Sequence, residues 1–258
     1  MKSNVLVVIP TFNCETQIIK VLAKIDAVLD FKDIEFWVID NRSVDSSFEN
    51  ALNYVSIQNM ENVKVFQTVQ NNSLGGTIKI AFNSAVSGGF KYIVIFHGDN
   101  QGEILDLLEL INRTKTQQIS SSIFGSRFLK NSRLVGYSIQ RIIGNIILNV
   151  IYSIFTKRVL SDLGSGINLY RVQDISDLNY MDLGDSLTFN YELILLMIRQ
   201  KKSFEYFPIV WREEDQISNA KNFLIFASAI KILFKHLSNQ NSIIDKTNKI
   251  YKLHEISN

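Results

Sequence analysis

Short apolar runs alternate with helix-period segments through the first hundred residues. Residues 5–9 are an apolar run ending at Pro10, and residues 15–29 follow with apolar positions three and four apart. The runs at 34–39, 63–69 and 92–96 repeat the first, with helices predicted over 45–57 and 75–86 between them. Buried strands that alternate with helices argue an α/β fold built on a mostly parallel sheet covered on both faces. Ligands of such sheets bind beyond the carboxyl ends of the strands. The polar residues just after each run are therefore where chemistry is expected.

The pattern loosens after residue 101. A helix over 103–115 leads to a strand at 122–125, and a long helix is predicted over 137–156. Arg141, Asn145, Asn149, Tyr152 and Thr156 form a polar stripe on that helix, whose remaining positions are almost all Ile, Leu, Val or Phe. A second apolar helix spans 222–237 with Ser228, Lys231 and Lys235 as its polar stripe. Residues 238–258 are polar and expected to form a loosely held tail. There is no repeat and no low-complexity linker.

Composition narrows the function classes. With 27 Lys and Arg against 25 Asp and Glu, the net charge of +2 offers no dense basic field for nucleic acid. Cys14 is the only cysteine, which excludes an intrachain disulfide and a cysteine-based metal site. The first apolar run is too short for a signal peptide. No stretch reaches the roughly 18 uninterrupted apolar residues of a membrane-crossing helix. The expectation is a soluble or peripheral protein.

Four polar clusters follow the four strands: Pro10 to Glu15, Asp40 to Asp45, Asn71 to Gly76, and His97-Gly98-Asp99-Asn100-Gln101. Asp40 offers a carboxylate that can accept from the N–H groups of a nucleobase. Gly75 and Gly76 open a helix, where backbone comes close to a ligand and an anion is favoured. Asp99 and Gln101 present oxygens two residues apart, donors suited to Mg²⁺ or Mn²⁺ shared with a diphosphate. Such a cation neutralises the charge on a departing nucleoside diphosphate.

Taken in order, these clusters resemble glycosyltransferase family 2 with its GT-A fold, and within it the polyprenyl- and dolichyl-phosphate sugar transferases. Ile9-Pro10-Thr11-Phe12-Asn13, Asp40 to Asp45 and His97 to Gln101 carry the likeness. It continues through Gly125-Ser126-Arg127, Asp162 to Arg171, Phe207 to Arg212, and Ile217-Ser218-Asn219-Ala220-Lys221. The resemblance implies one domain over 1–237, with nucleotide-sugar bound by 1–101 and acceptor by 102–237. It places Pro10, Thr11, Asn13, Glu15, Asp40 and Gly75 at the nucleotide and Asp99 and Gln101 at Mg²⁺ or Mn²⁺. Arg127, Arg133, Arg212, Ser218 and Lys221 would meet phosphates, and Glu192 would stand near the acceptor. Asp99, Glu192, Arg127 and Arg212 are the implied catalytic set. His97 departs from the family by replacing the first Asp of Asp-x-Asp, and Asn41 stands where a second Asp is common.

Other readings exist for these residues. Asp40, Ser43 and Asp45 are also helix-capping types, Glu192 sits on a helix, and Arg212 to Asp215 reads as a solvated charge run. No glycine precedes Gly75, which excludes the nicotinamide-binding fingerprint after the first strand. Thr11 to Cys14 is neither Gly-rich nor basic, which argues against a nucleotidyltransferase. The alternatives are a glycosyltransferase acting on a sugar hydroxyl in surface polysaccharide synthesis, where Glu192 could serve as base, and, from another class, an inactive, transferase-like binding subunit. The expected partners are a nucleotide-sugar, a lipid-phosphate or glycan acceptor, and an anionic membrane touched peripherally by helices 137–156 and 222–237. The expected location is the cytoplasm, at the inner face of the membrane.

Overall fold

The computed structural model describes residues 3–28, 34–116, 119–213, 222–238 and 250–254. The first half alternates as the periodicity requires: β1 (Val5–Thr11), α1 (Gln17–Val28), β2 (Ile34–Asp40), α2 (Ser47–Ile57), β3 (Val63–Gln67), α3 (Ser73–Gly88) and β4 (Tyr92–Phe96). All seven residues of β1 are buried because helices cover both faces of the sheet. Alternate side chains serve different cores. Leu6 and Val8 pack with the α3 residues Ile78 and Phe82 on one face, while Val5, Val7 and Ile9 pack with Ile18, Val21 and Leu22 of α1 on the other.

The second half contains α4 (Ile104–Thr116), β5 (Ser122–Ser126), β6 (Arg133–Val135), α5 (Ile139–Thr156), β7 (Ile167–Arg171) and α6 (Val172–Ser176). It ends with α7 (Phe189–Arg199), β8 (Phe204–Pro208), β9 (Val210–Arg212) and α8 (Asn222–Leu237). The sheet order is β3-β2-β1-β4-β7-β5-β8, with β6 and β9 forming a separate parallel pair. β1 to β4 are parallel, and β7 enters antiparallel between β4 and β5. The expected α/β architecture is thus observed, with four strands, β6 to β9, that apolar runs did not announce.

Two features depart from the sequence reading. The tail expected to be loosely held is pinned at residues 250–254: Val69 N–H donates to Lys252 O, His254 N–H to Gln67 O, and Tyr251 OH to both Asp185 oxygens. The other feature is α5, which turns its polar stripe inward. Tyr152 OH donates to Ala229 O at 2.6 Å, Asn149 Nδ2 to Ser161 O at 2.7 Å, and Arg141 pairs with Glu213. Its apolar positions face out, with Ile139 73% and Ile154 68% exposed. By length and composition alone α5 would suffice to cross a membrane, which the criterion of uninterrupted apolar residues had not recognised. Here it lies against the body of the protein, fastened by the stripe.

Candidate active site

The loops that follow the strands are tied to one another before any ligand is considered. Asn13 N–H donates to Ser43 Oγ at 2.9 Å, and Val44 N–H returns to Asn13 Oδ1 at 3.0 Å. Glu15 accepts from Ser46 N–H at 3.1 Å, while Asn41 accepts from Asn72 N–H at 2.9 Å. Asn13, Arg42, Ser73 and Asn100 all hold positive φ in these loops, a conformation that costs energy in non-glycine residues. The bond network over-determines that conformation.

A cavity of about 690 Å³ opens where these loops meet the second half. Pro10, Thr11, Phe12, Asn41, Asn71 and Ser73 line one end, and His97, Asp99 and Gln101 lie at its floor. Tyr137, Gln140, Arg141, Gly144, Asn145 and Leu148 supply a wall from the start of α5, and Ile225 and Phe226 one from α8. Burial holds the Asp99 carboxyl above the usual carboxylate range, partly offset by His97 and by the Gln101 N–H that it accepts at 3.1 Å. Burial, helped by the Arg127 charge, keeps the His97 imidazole below its ordinary value.

Arg127 reaches the cavity but is not an unclaimed cation. Its Nε and one terminal nitrogen hold Asp162 in a two-pronged pair at 2.7 and 2.8 Å, and its other terminal nitrogen donates to Tyr137 OH at 3.1 Å. Burial opposes the charge, yet Asp162 raises the guanidinium pKa above its ordinary value. Gly166 lets this wall close, because a Cβ there would stand 2.6 Å from the Trp211 ring and 2.8 Å from His97 Nδ1.

Several residues singled out from the sequence lie elsewhere. Asp40 is fully buried below the loops and accepts from Ser43 N–H, Ser43 Oγ and Gln67 Nε2, bonds that brace the loop after β2 and do not cap α2, whose N-cap position is Ser46. Neither it nor Asn13 nor Glu15 lines the cavity. Gly75 is needed for packing: its N–H donates to Asp185 O at 2.8 Å and a Cβ would fall 2.7 Å from Phe189 Cβ. The donor expected to face an anion is thus taken by the protein's own loop. Glu192 accepts from Gly184 N–H at 3.0 Å and is not a lining residue, although its neighbours Asn190 and Tyr191 are. Arg133 is exposed on β6, and Arg212 Nε donates to Glu103 at 3.2 Å, also off the cavity. Ser218 and Lys221 lie outside the described residues.

Residues that the motifs did not flag complete the walls. Tyr137 and Asn145 join through Asn145 Nδ2 to Tyr137 OH at 3.1 Å. Glu213, read as part of a solvated charge run, is largely buried against Arg141. Asn190, Ser186 and Leu187 come from α7 and the loop before it. Buried Lys79 helps hold that loop, donating to Asp185 Oδ1 at 2.6 Å and to Leu183 O. The inward stripe of α5 was the available signal for Arg141 and Asn145. Nothing in the local pattern pointed to Glu213.

Comparison with known proteins gives this site a context. Glucosyl-3-phosphoglycerate synthase from Mycobacterium tuberculosis, solved with Mn²⁺, uridine diphosphate and phosphoglyceric acid, superposes with a TM-score of 0.69 at 13% identity. That alignment covers 93% of this chain and 80% of the mycobacterial one. A mannosyltransferase from Pyrobaculum calidifontis, in complex with GDP-mannose and Mn²⁺, aligns with a TM-score of 0.59 at 15% identity, over 92% of this chain and 64% of that one. Comparison with curated protein sequences finds no match. The family model described as glycosyl transferase family 2 matches residues 6–178. With more than half of its 258 residues in that match, the chain belongs to glycosyl transferase family 2 and is a nucleotide-sugar glycosyltransferase of the GT-A fold.

Proposed function

We propose that this enzyme moves a sugar from a UDP- or GDP-sugar to a polyprenyl-phosphate-type lipid, working peripherally at the inner, cytoplasmic face of a membrane. One observation carries the lipid reading: the helix that walls the cavity with Gly144 and Leu148 turns Ile139, Ile143, Ile147, Val150 and Ile154 outward. Phe234 and Leu237 of α8 extend this apolar surface, with Phe155 and Phe234 in ring contact at 6.3 Å. Exposed apolar faces of this size mark an interaction surface. A membrane-embedded acceptor would reach the cavity without leaving lipid far behind. Lys231, exposed on α8, and Lys235 supply cations for anionic headgroups.

The residues at the cavity floor fit a metal shared with substrate. Among the described residues no three His, Cys, Asp or Glu side chains cluster as a resident metal site. One carboxylate, Asp99, with the amide oxygen of Gln101 beside it, is the donor set that suits Mg²⁺ or Mn²⁺ completed by phosphate oxygens. The Mn²⁺ complexes of the mycobacterial and archaeal proteins support this assignment. When bound, the metal would stabilise the leaving diphosphate. Asp99 and Gln101 would hold it, Pro10, Thr11 and Asn41 would border the nucleotide, and Arg127 with Tyr137 would orient the acceptor phosphate. A phosphate oxygen is already anionic and attacks the anomeric carbon without a general base, which agrees with Glu192 lying off the cavity.

The phosphoglyceric acid complex of the mycobacterial enzyme favours a second reading, a small water-soluble phosphorylated acceptor. Sugar transfer to a short polyprenyl phosphate, measured beside transfer to phosphoglycerate and to a simple glycan, separates the two. The expected result is transfer to the lipid, binding to phosphatidylglycerol-containing vesicles that weakens with salt, and loss of about a thousandfold in turnover for Asp99→Ala. Transfer only to soluble acceptors, with no vesicle binding, rejects the lipid reading. Full activity in excess chelator rejects the metal.

A further inference from the structure

Of the seven buried side-chain polar atoms without a hydrogen-bond partner among the described residues, Thr68 Oγ1, Asp174 Oδ2 and Tyr206 OH lie apart and the other four share one cavity. Among the described residues, His97 Nε2, Asn190 Oδ1, Trp211 Nε1 and Glu213 Oε1 are buried without a hydrogen-bond partner, and all four residues line the same cavity. Burial is deep: Trp211 is 4% and Asn190 8% exposed, and the Glu213 side chain 9%. A buried polar group without a partner is costly and uncommon. Four on the walls of one cavity signal a ligand whose atoms complete them. Two of them are also held from behind. Asn190 Nδ2 donates to Ser165 O at 3.2 Å, which fixes its oxygen as the unpaired atom, and Arg141 occupies the other Glu213 oxygen.

The chemistry of the missing partner follows from the set. Asn190 and Glu213 require donors, the Trp211 indole N–H requires an acceptor, and the imidazole nitrogen of His97 can take either role. Hydroxyl groups both donate and accept, so a polyhydroxylated ring satisfies all four. A phosphate does not, because its oxygens would meet the Glu213 carboxylate and the Asn190 oxygen with no proton between them. Position selects among hydroxylated ligands. Arg212 N–H donates to Gln101 O at 2.8 Å and Trp211 bridges Gly102, so β9 is fastened to the segment that carries Asp99 and Gln101. His97 and Trp211 meet edge to face at 6.5 Å. The ring therefore lies next to the diphosphate end of the donor.

We propose that His97, Asn190, Trp211 and Glu213 form the subsite that reads the hydroxyls of the transferred sugar and thereby sets which nucleotide-sugar the enzyme uses. The side chains reseat on the hydroxyls when the sugar enters. His97 at the first position of the Asp-x-Asp motif then serves recognition of the sugar, not the metal shell. The inference rests on the nucleotide-sugar donor and is independent of which acceptor is used.

Calorimetry on the full chain with Mn²⁺ tests it, comparing a nucleotide-sugar with its parent nucleoside diphosphate. The donor is the UDP- or GDP-hexose that most raises the wild-type melting temperature. Trp211→Phe keeps the aromatic packing and removes the N–H. Glu213→Gln lets its amide oxygen face Arg141 and turns the unpaired acceptor into a donor. The ratio of nucleotide-sugar to nucleoside-diphosphate affinity should fall on the order of tenfold in each, with discrimination between epimeric hexoses relaxed. An unchanged ratio, whether both affinities hold or both fall together, overturns the proposal. Glu213→Gln decides the matter if Trp211→Phe does not fold. No acceptor is present in the measurement, so its outcome stands apart from that of the lipid-transfer experiment.

Discussion

Helices α1 and α5 have similar sequence character and opposite orientation. Both carry apolar residues at helical spacing beside a polar stripe. In α1 the apolar residues go inward, and Ile18, Val21, Leu22 and Ile25 are each no more than 1% exposed. In α5 the polar residues go inward: Asn149 and Tyr152 are buried, while Ile143, Ile146 and Ile147 face outward. The first helix is held by removal of apolar surface from water. The second is held by hydrogen bonds, an ion pair and the burial of Leu148 and Tyr152, and leaves most of its apolar surface for another occupant. An amphipathic pattern thus says that two faces differ without saying which one the protein keeps.

The sharpest way to break this comparison is truncation on the apolar faces. Leu22→Ala in α1 should cost about 2–5 kcal/mol through lost burial and a residual cavity. Ile146→Ala in α5 should stay within about 0.5 kcal/mol. Urea denaturation of the two variants gives both values, and equal losses would mean that the α5 face is covered in solution. Next in size is the interface itself. The double substitution Ile143→Asp and Ile147→Asp should weaken vesicle binding by more than about tenfold while leaving the melting temperature nearly unchanged. Sedimentation with vesicles checks the first half of that statement and calorimetry the second.

Reversing the test onto the polar stripes gives a smaller effect of opposite pattern. Asn149→Leu removes the donor to Ser161 O and should destabilise by about 1–2 kcal/mol. Asp26→Leu, on the exposed face of α1, should fall within about 0.5 kcal/mol. If Asn149→Leu proves neutral, the stripe does not fasten α5.

The smallest expected effect concerns Asp106, which accepts from Val210 N–H at 2.7 Å and so helps seat β9. Burial raises its carboxyl to about 6 from the ordinary 3.8. A carboxyl with a raised folded-state pKa contributes stability that is fully present below about pH 3.8 and is lost as pH rises through about 6. Asp106→Asn removes that dependence. Relative to wild type, the variant should therefore gain on the order of 1 kcal/mol between about pH 4 and pH 7, after allowance for partial exposure. Melting curves across that range show either the gain or parallel lines, and parallel lines reject the assignment.

Legibility in the sequence differs between the two halves for a physical reason. Strands β1 to β4 are parallel and mostly apolar, with β1 and β4 buried at the centre and β3 at the edge, and the polar clusters after them mark the sheet's binding edge. Pro10, Thr11, Asp99 and Gln101 lie in those clusters and line the cavity, while Asn13, Glu15 and Asp40 from the same clusters do not. Strands β6 to β9 have only three to five residues each and carry polar positions such as Arg133, Asn168 and Arg212. β7 is threaded antiparallel between two strands formed earlier in the chain, a pairing that no local pattern encodes. Asp40, Gly75 and Glu192 show the other side of the comparison. Each has the residue type that the resemblance asks for, but in the structure each one's polar groups are engaged by Ser43, Asp185 or Gly184.

Periodicity and strand-end chemistry were enough to determine the α/β fold, the approximate boundaries of the first strands and helices, and the Asp99 and Gln101 corner of the cavity. Which face of α5 turned inward was decided only in three dimensions. Its stripe is satisfied by water or by the protein equally well as far as local sequence is concerned. Glu213, Tyr137, Ser161 O and Ala229 O are the partners that settle it, together with Arg141, Asn145, Asn149 and Tyr152. Glu213 and Ala229 lie far along the chain and become neighbours only when the β9 edge and α8 fold back over the cavity. The same folding turned a charge run into a cavity wall, because Arg141 pairs with one oxygen of the largely buried Glu213 carboxylate.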